Sequence, residues 1–513
     1  MANIFQNVRG NKPKRTAFNL SHDKKLTAKM GDLVPVLCEE VVPGDSFDIK
    51  TQSFIRMAPM IAPVMHKVDT YMHYFYVPNR IIWDKWEDFI TGETLETPPT
   101  LDDYNAVKPG TLSDYFGIPP NFCVSAEGSN NDRLRNAKIT NLPHRAYCKI
   151  FNEYYRDQNL QEEVIPENTS DWYKLQKRAW EKDYFTSALP WTQKGPEAVI
   201  PVGAINPNYS ETSLIFQSQT QNPISGELYA QDGTLIGETN PGTQRPARME
   251  NLDPDQPFEG DITINEFRIA HRIQKWFERQ ARAGSRYTET ILSHFGVHTG
   301  DSRLDRPEYL GGGKQPVVIS EVLNTNGVVD DPATSQDPLG QMAGHGVSVG
   351  NTAKAKRTFK EHGYIMCIMS VMPKPAYQNG IHKSWTRQDK FDFFWPEFAH
   401  LGEQEVKNME LYAGTDDKAN NGTFGYQSRY AEYKYKGSSV HADMRNSPMD
   451  SWHMGRIFKD LPLLNAEFIS CDTQSIDERI YAAGGVENDQ LWIQIHHNII
   501  AKRPMPYHGT PTI

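Results

Sequence analysis

The sequence predicts a mainly β fold in which one sheet system is interrupted by long insertions. Three observations carry that expectation. The clearest strand patterns lie near the two ends of the chain, between residues 33 and 77 and again at 491–500. The stretch between them is polar and partly helical. Only 38% of the 513 residues are hydrophobic and the mean hydropathy is -0.62, polar for a chain of 58.5 kDa. Length alone predicts roughly three domains, but this composition fits a modest core with excursions whose apolar side chains find other chains. Aromatics reach 11%, enough to exclude disorder, and they are enriched at the centres of protein–protein interfaces.

The elements follow in order. Leu33–Val42 and Ser46–Phe54 are strand-like runs parted by the turn Pro43-Gly44-Asp45. Val64–Val77 alternates over fourteen residues, with Val64, Val68, Met72, Tyr74 and Tyr76 on one face. Asn79 can cap a helix through Ile82, Trp86, Phe89 and Ile90 that stops at Gly92. Pro143 opens a second helix through Ala146, Ile150 and Tyr154. The best-punctuated helix is Asn265–Ala283, with Thr263 and Glu266 as a capping box and Gly284 as its stop. Its apolar stripe is Phe267, Ala270, Ile273 or Gln274, Phe277 and Ala281; the opposite face carries Arg268, Arg272, Lys275, Arg279 and Arg282. Tyr364–Met372 is continuously apolar and ends at Pro373, the pattern of a strand buried on both faces. Leu491–Ile500 alternates again.

Two stretches read as loops. Residues 195–260 are rich in Asn, Gln, Ser, Thr, Gly and Pro, a composition that suits a binding excursion on the surface. Gly311–Lys356 is glycine-heavy at both ends. No repeat is present. The five cysteines, Cys38, Cys123, Cys148, Cys367 and Cys471, are scattered and never spaced as CxxC, which excludes a disulfide scaffold and a zinc ribbon and favours a reducing compartment. No apolar run has the length of a signal peptide or a membrane span, so no membrane insertion is expected.

Signals for chemistry are weak. Gly346-Val-Ser348-Val-Gly350 matches the nucleophile-elbow pattern but lies in a glycine-rich stretch without the strand-to-helix context that the elbow needs. His496 and His497 are adjacent in an alternating strand, so their rings point to opposite faces and cannot share a metal. His441 and His453 lack a third ligand, and Asp416-Asp417 lacks calcium-loop spacing. No cofactor, metal or catalytic set is expected. A serine hydrolase built on Ser348 and a carbohydrate-binding sandwich stand as the alternative functions at this point.

Charge distribution gives a different answer. The chain is acidic overall, with a formal charge of -10, yet residues 1–29 hold seven basic side chains against one acidic residue, Asp23. Arg9, Lys12, Lys14, Arg15, Lys24, Lys25 and Lys29 form this basic arm, with Phe5 and Phe18 available to stack on bases; a solubilising tail is the equal alternative on charge alone. Lys502-Arg503 forms a weaker second patch.

The segment from Thr263 to Arg279 (TINEFRIAHRIQKWFER), followed by Ala283-Gly-Ser-Arg-Tyr287, resembles the helix signature of microvirus major capsid proteins, the gokushovirus branch above all. His294-Phe-Gly-Val297, Arg306-Pro-Glu-Tyr-Leu-Gly-Gly312, Gly31-Asp-Leu-Val-Pro35, Tyr74-Phe-Tyr-Val-Pro-Asn-Arg80, His400-Leu-Gly-Glu-Gln-Glu405 and Arg503-Pro-Met-Pro506 are similar to that family in the same order. The resemblance implies an eight-stranded antiparallel jelly roll of the viral capsid type, with long loop and helical insertions. Such a protein self-assembles into a T=1 icosahedral shell, with contacts at its fivefold, threefold and twofold axes, around single-stranded DNA. The implied organisation is a basic arm at 1–30, an interrupted capsid domain at 31–513, and a protrusion at 195–260 whose Tyr209, Phe216 and Tyr229 would meet a bacterial host surface receptor. Implied partners are further copies, the genome, and internal scaffolding, pilot and small DNA-binding proteins. The implied location is the virion capsid, after synthesis in the bacterial host cytoplasm.

Overall fold

The computed structural model describes residues 14–101, 108–119, 139–165, 174–194, 216–218, 228–229, 235–237, 247–249, 264–284, 286–298, 300–325, 340–482 and 489–508. The chain divides into two units, Met1–Thr192 with Ala283–Ile513, and Gln193–Arg282.

The first unit is built on β1 (Thr16–Asn19), β2 (His22–Ala28), β3 (Val34–Val41), β4 (Ser46–Met57) and β5 (Val68–Pro78). In chain order there follow four short strands of the second unit, β6 (Phe216–Ser218), β7 (Leu228–Tyr229), β8 (Leu235–Gly237) and β9 (Ala247–Met249). The first unit then resumes with β10 (Glu308–Leu323), β11 (Met342–Thr358), β12 (Gly363–Pro373), β13 (Ala376–Tyr377), β14 (Glu403–Lys407), β15 (Thr423–Ser428), β16 (Ser438–Ser439) and β17 (Leu491–Arg503). Eight strands lie on one path, β1-β17-β4-β11-β10-β5-β12-β3, with β2 also paired to β17. Every pair in this sheet is antiparallel. The sheet curls at β10, whose first part pairs with β5 up to Val317 and whose last part, from Val318, pairs with β11. A strand that changes partner in this way turns the corner between two packed layers. The result is the expected mainly β, jelly-roll-like architecture with helical insertions.

The core follows from strand alternation. Ile49 and Ile55 of β4, Met72 and Tyr74 of β5, Ile365 and Cys367 of β12, and Ile493 and Ile495 of β17 turn inward and form one cluster. The other face of β5 and β12 is covered by α3 (Leu142–Ile150), which seats Leu142, Ala146, Tyr147 and Ile150 against Phe75, Val77, Met366 and Ile368. That is why Tyr364–Met372 is apolar without alternation. Tyr147 locks this layer, since its buried hydroxyl donates to Leu33 O (2.8 Å) and accepts from Gln176 N (3.0 Å).

Three expectations need correction. The helix expected from Asn79 to Gly92 is broken into a 3-10 turn at Asn79–Ile81 and α1 (Trp86–Thr91). Asn79 N still donates to His362 O at the sheet end (3.0 Å), but Asn79 lies inside the turn, whose cap position is Pro78. Gly311–Lys356 is no loop at its two ends, because β10 and β11 are the longest strands of the sheet. The glycines serve close packing: a Cβ on Gly312 would sit 2.6 Å from Met72 O, and one on Gly346 would sit 2.5 Å from Met57 Sδ. The third correction concerns the arm, since residues 16–28 are woven into the sheet as β1 and β2.

In the second unit, β6 pairs with β9 and β7 with β8, both antiparallel. After α2 (Leu112–Tyr115) and α3, the next helix is α4 (Ile264–Ala283), as its sequence pattern predicts. Ala281 is buried, but Phe267 and Ile273 of the expected apolar stripe are exposed, as are Ile269 and Trp276. Its basic residues Arg268, Arg272, Lys275, Arg279 and Arg282 are also exposed. Thr263, the expected capping residue, lies outside the described residues.

Candidate nucleic-acid interface

The inward alternation that builds the core fixes what the opposite face of β2, β17, β4 and β11 presents. Thr27, Trp492, Arg56 and Val347 form one row across the four strands. The next row is Lys25, Gln494, Phe54 and Val349, and the one after is Asp23, His496, Gln52 and Asn351. Farther along, Asn498, Lys50 and Lys354 are neighbours, then Ile500, Asp48 and Lys356. Directly opposed side chains in such a ladder lie about 5 Å apart. The face therefore gathers Lys25, Lys50, Arg56 and Lys354, all exposed, and Lys502 extends the same side of β17. Its acids are engaged: Asp23 Oδ1 is 2.7 Å from His496 Nδ1, and Asp48 is 3.4 Å from Lys356 Nζ.

Aromatic rings are interleaved with these cations. Trp492 is 48% exposed on a strand whose neighbours, Leu491 and Ile493, are buried. The Arg56 guanidinium lies 5.3 Å from the centre of the Phe54 ring. At this end the face opens into a cleft of about 1340 Å³ whose lining includes Lys25, Lys29, Phe54, Arg56, Lys177 and Trp492, together with the acids Asp114 and Asp489. Asp32 also borders it, and burial pushes its carboxyl up to about 7, against the opposing pull of Lys177 and Lys29. Around neutral pH that group is only partly ionised, so it opposes an incoming phosphate less than an ordinary aspartate would. Lys177 is engaged by Asp472 at 2.7 Å.

The residues of the expected arm separate accordingly. Arg9, Lys12 and Phe5 lie outside the described residues. Lys14 and Arg15 are exposed just before β1. Lys25 stands on the cationic face and Lys29 at the cleft. Lys24 also borders the cleft, but its ammonium is engaged by the protein itself. Neighbours in a strand point to opposite sides, and its ammonium is turned in to donate to Tyr115 O (2.6 Å) and Pro35 O (3.2 Å). Burial lowers its pKa. Phe18 pairs opposite the buried Ala501 and stacks on Tyr507 at 6.0 Å. Arg503 is likewise engaged, donating to Glu40 O at 2.7 Å and standing 3.5 Å from Asp45.

Reading residues 1–29 in isolation misses Lys50, Arg56, Lys354, Phe54 and Trp492. The outward phase of Trp492 was available in the alternation of 491–500; the other four are collected only by register.

The remaining candidates are structural. Ser348 is buried in the middle of β11, where its hydroxyl donates to Pro316 O (2.9 Å) and accepts from Gln315 Nε2 (2.7 Å), with no elbow around it. His496 and His497 do face opposite ways, the first half-buried and the second fully buried. His453 is buried, donating from Nε2 to Met444 O and accepting at Nδ1 from Gly455 N. Asp416 accepts from Lys418 N and caps a short helix. Cys38, Cys148, Cys367 and Cys471 are free thiols, and Cys123 lies outside the described residues. Among the described residues no helix is long and apolar enough to cross a membrane. Tyr209 lies outside the described residues, and Phe216 and Tyr229 are placed only as members of β6 and β7.

Comparison with known proteins identifies the family. Residues 6–513 match a family described as "Capsid protein (F protein)". The chain is 32% identical to capsid protein VP1 of Chlamydia phage 1, over 100% of this chain and 98% of that protein. It is 33% identical to capsid protein VP1 of Bdellovibrio phage phiMH2K, over 97% and 95%. Capsid protein VP1 of Spiroplasma virus 4 is 32% identical, over 99% and 97%.

Proposed function

The chain belongs to the capsid protein family of the microviruses, in its gokushovirus branch, and is a major capsid protein of a single-stranded DNA phage; from that premise we propose that the cationic face of β2, β17, β4 and β11 holds the packaged DNA inside a T=1 shell. The family establishes a virion capsid protein that forms a homo-oligomeric shell and is not an enzyme. The observation that carries the proposal is the row Thr27-Trp492-Arg56 with Lys25 in the next row. It puts an exposed indole between two cations on one rigid surface.

Single-stranded nucleic acid is bound without sequence preference by this combination. Cations track the phosphates, and bases stack on aromatic faces. Here Lys25, Lys50, Arg56, Lys354 and Lys502 serve the backbone, and Trp492 serves as a stacking platform. Lys14 and Arg15 extend the track. The host contact is assigned to 195–260, on its composition alone, and scaffolding, pilot and small DNA-binding proteins are its proposed companions.

The test measures single-stranded DNA binding against salt. Each lost phosphate contact should flatten the slope of log K on log[salt] by about 0.7, so Lys25→Gln and Arg56→Gln should each do so. Trp492→Ala should weaken binding by about 1–3 kcal/mol with little change in slope. Lys24→Gln should leave the slope unchanged. Wild-type slopes and affinities in the first three variants would refute the assignment.

A further inference from the structure

Residues 383–401 form a shoulder of three 3-10 turns, Lys383–Trp385, Lys390–Asp392 and Pro396–Phe398. It is rigidly held. Arg387 pairs with Glu432 at 3.0 Å, both side chains nearly fully buried. Gln404 Nε2 donates to the other Glu432 oxygen (2.6 Å), and Gln404 Oε1 accepts from Tyr430 N. The Trp395 indole N–H donates to Lys390 O (2.8 Å), and its backbone N–H donates to the Tyr430 hydroxyl. The Phe394 ring sits edge-on to Tyr430 at 4.9 Å, and Phe391 edge-on to Phe398 at 5.7 Å.

Despite this order, the aromatic rings of the shoulder face outward. Trp385 is 83% exposed, and Phe391, Phe393, Phe394, Trp395 and Tyr433 are each about half exposed. At roughly 200 Å² per aromatic side chain, they leave roughly 650 Å² of apolar surface uncovered. The largest patch on an ordinary monomer is about 300–600 Å², and each partner in a standard interface contributes about 800 Å². The shoulder thus exceeds the first figure and approaches the second. Fixed rings also lose little further freedom on being covered, which favours association.

We propose that the shoulder at 383–401 with Tyr433 is a contact between copies of this chain in the shell. Two facts select a second copy as the occupant. The chain is the shell's repeated unit, so every copy buries surface against others. Copies of net charge -10 repel one another, but 383–401 holds three basic residues (Lys383, Arg387, Lys390) and three acidic ones (Asp389, Asp392, Glu397). A locally neutral apolar surface is where two like-charged copies meet with least repulsion.

The test places a photo-crosslinking side chain at the most exposed ring, Trp385→p-benzoylphenylalanine, and irradiates purified shells and dissociated subunits. A covalent dimer of this chain in shells, absent from subunits, is the expected result. A cross-link to a different virion protein would overturn the proposal, and so would closed shells without a cross-link. Covalent labelling of wild-type Trp385 and Trp395 gives a second readout that needs no variant. Their reactivity should fall several-fold on going from subunit to shell, and equal reactivity in both states would overturn the proposal even though shells form.

Discussion

His497 offers the sharpest test of the core. Its ring is fully buried on the inner face of β17, where Nε2 is 3.2 Å from Val36 O and Nδ1 is 2.9 Å from Thr51 Oγ1. A carbonyl only accepts, so Nε2 carries the proton and donates. Nδ1 must then accept from the Thr51 hydroxyl, whose oxygen in turn accepts from the Tyr74 hydroxyl. Every position is satisfied by a neutral imidazole, and a second proton on Nδ1 would force the Thr51 hydroxyl to reverse toward Tyr74 and would leave a charge in a buried site. Burial lowers the ring to about 4 from an ordinary 6.5, and nearby His22, Lys24 and His496 push the same way. At about 1.4 kcal/mol per pH unit, the group contributes about 3 kcal/mol of stability. The sign is that of a depressed histidine. The contribution is full above pH 6.5, where both states are neutral, and is lost as pH falls toward 4, because the unfolded chain takes the proton first. Gln can accept from Thr51 and donate to Val36 O without titrating, so His497→Gln removes this dependence. Urea unfolding of subunits between pH 4 and 8 reads it directly. The stability of wild type relative to the variant should be constant above pH 7 and shrink by about 3 kcal/mol on descending to pH 4. Parallel profiles down to pH 4 would refute the buried neutral ring.

Asp477 should titrate in the opposite direction. It is buried, with Thr473 Oγ1 donating to one oxygen at 2.8 Å, and burial raises its carboxyl to about 7. Its stabilising contribution is full below the unfolded value near 4 and lost as pH climbs to 7, so Asp477→Asn should gain on wild type by up to about 1.4 kcal/mol per unit across that window. Equal slopes in urea unfolding would count against it. Deleting 195–260 should leave shells intact and abolish adsorption to host cells; normal adsorption by the deleted particle would remove the host-contact assignment.

How far the molecule could be read before folding depended on whether a residue's role was local. β3, β4, β5, β12 and β17 were legible because burial on one or both faces imposes a pattern within a single strand. β10 and β11 were hidden by their glycines. These permit close approach of Met72 O and Met57, a requirement set by other strands. β1 and β2 were hidden by charge, since His22–Ala28 has few apolar residues to reveal its phase. The same phase separates Lys24 from Lys25. Two adjacent lysines are indistinguishable in a flexible arm, but in a strand one must turn in and the other out. Of the cationic face, Lys25 and the outward position of Trp492 were within reach. Lys50, Arg56 and Lys354 were not, because only the pairing of β4 with β17 and β11 brings them together, with Arg56 placed beside Trp492 436 positions away in sequence. The aromatic shoulder was legible as composition alone; what distinguishes it from a core is the exposure that the fold leaves on its rings.

Charge is not spread evenly over this chain, and the proposed roles give salt two opposing effects. Copies that each carry -10 repel at long range, and added salt relieves that repulsion within a Debye length of about 10 Å at 0.1 M. The same salt weakens phosphate binding on the cationic sheet face by restoring the counterion atmosphere of the DNA. The shoulder at 383–401 is neutral and apolar, so its own adhesion depends little on salt. Contacts between copies should therefore hold under conditions that loosen the genome. On this division of labour, rising salt releases the DNA face before it opens the shell. The net acidity of the chain then acts on assembly, while the buried alternation that hides Lys24 and exposes Lys25 determines where the genome can be held.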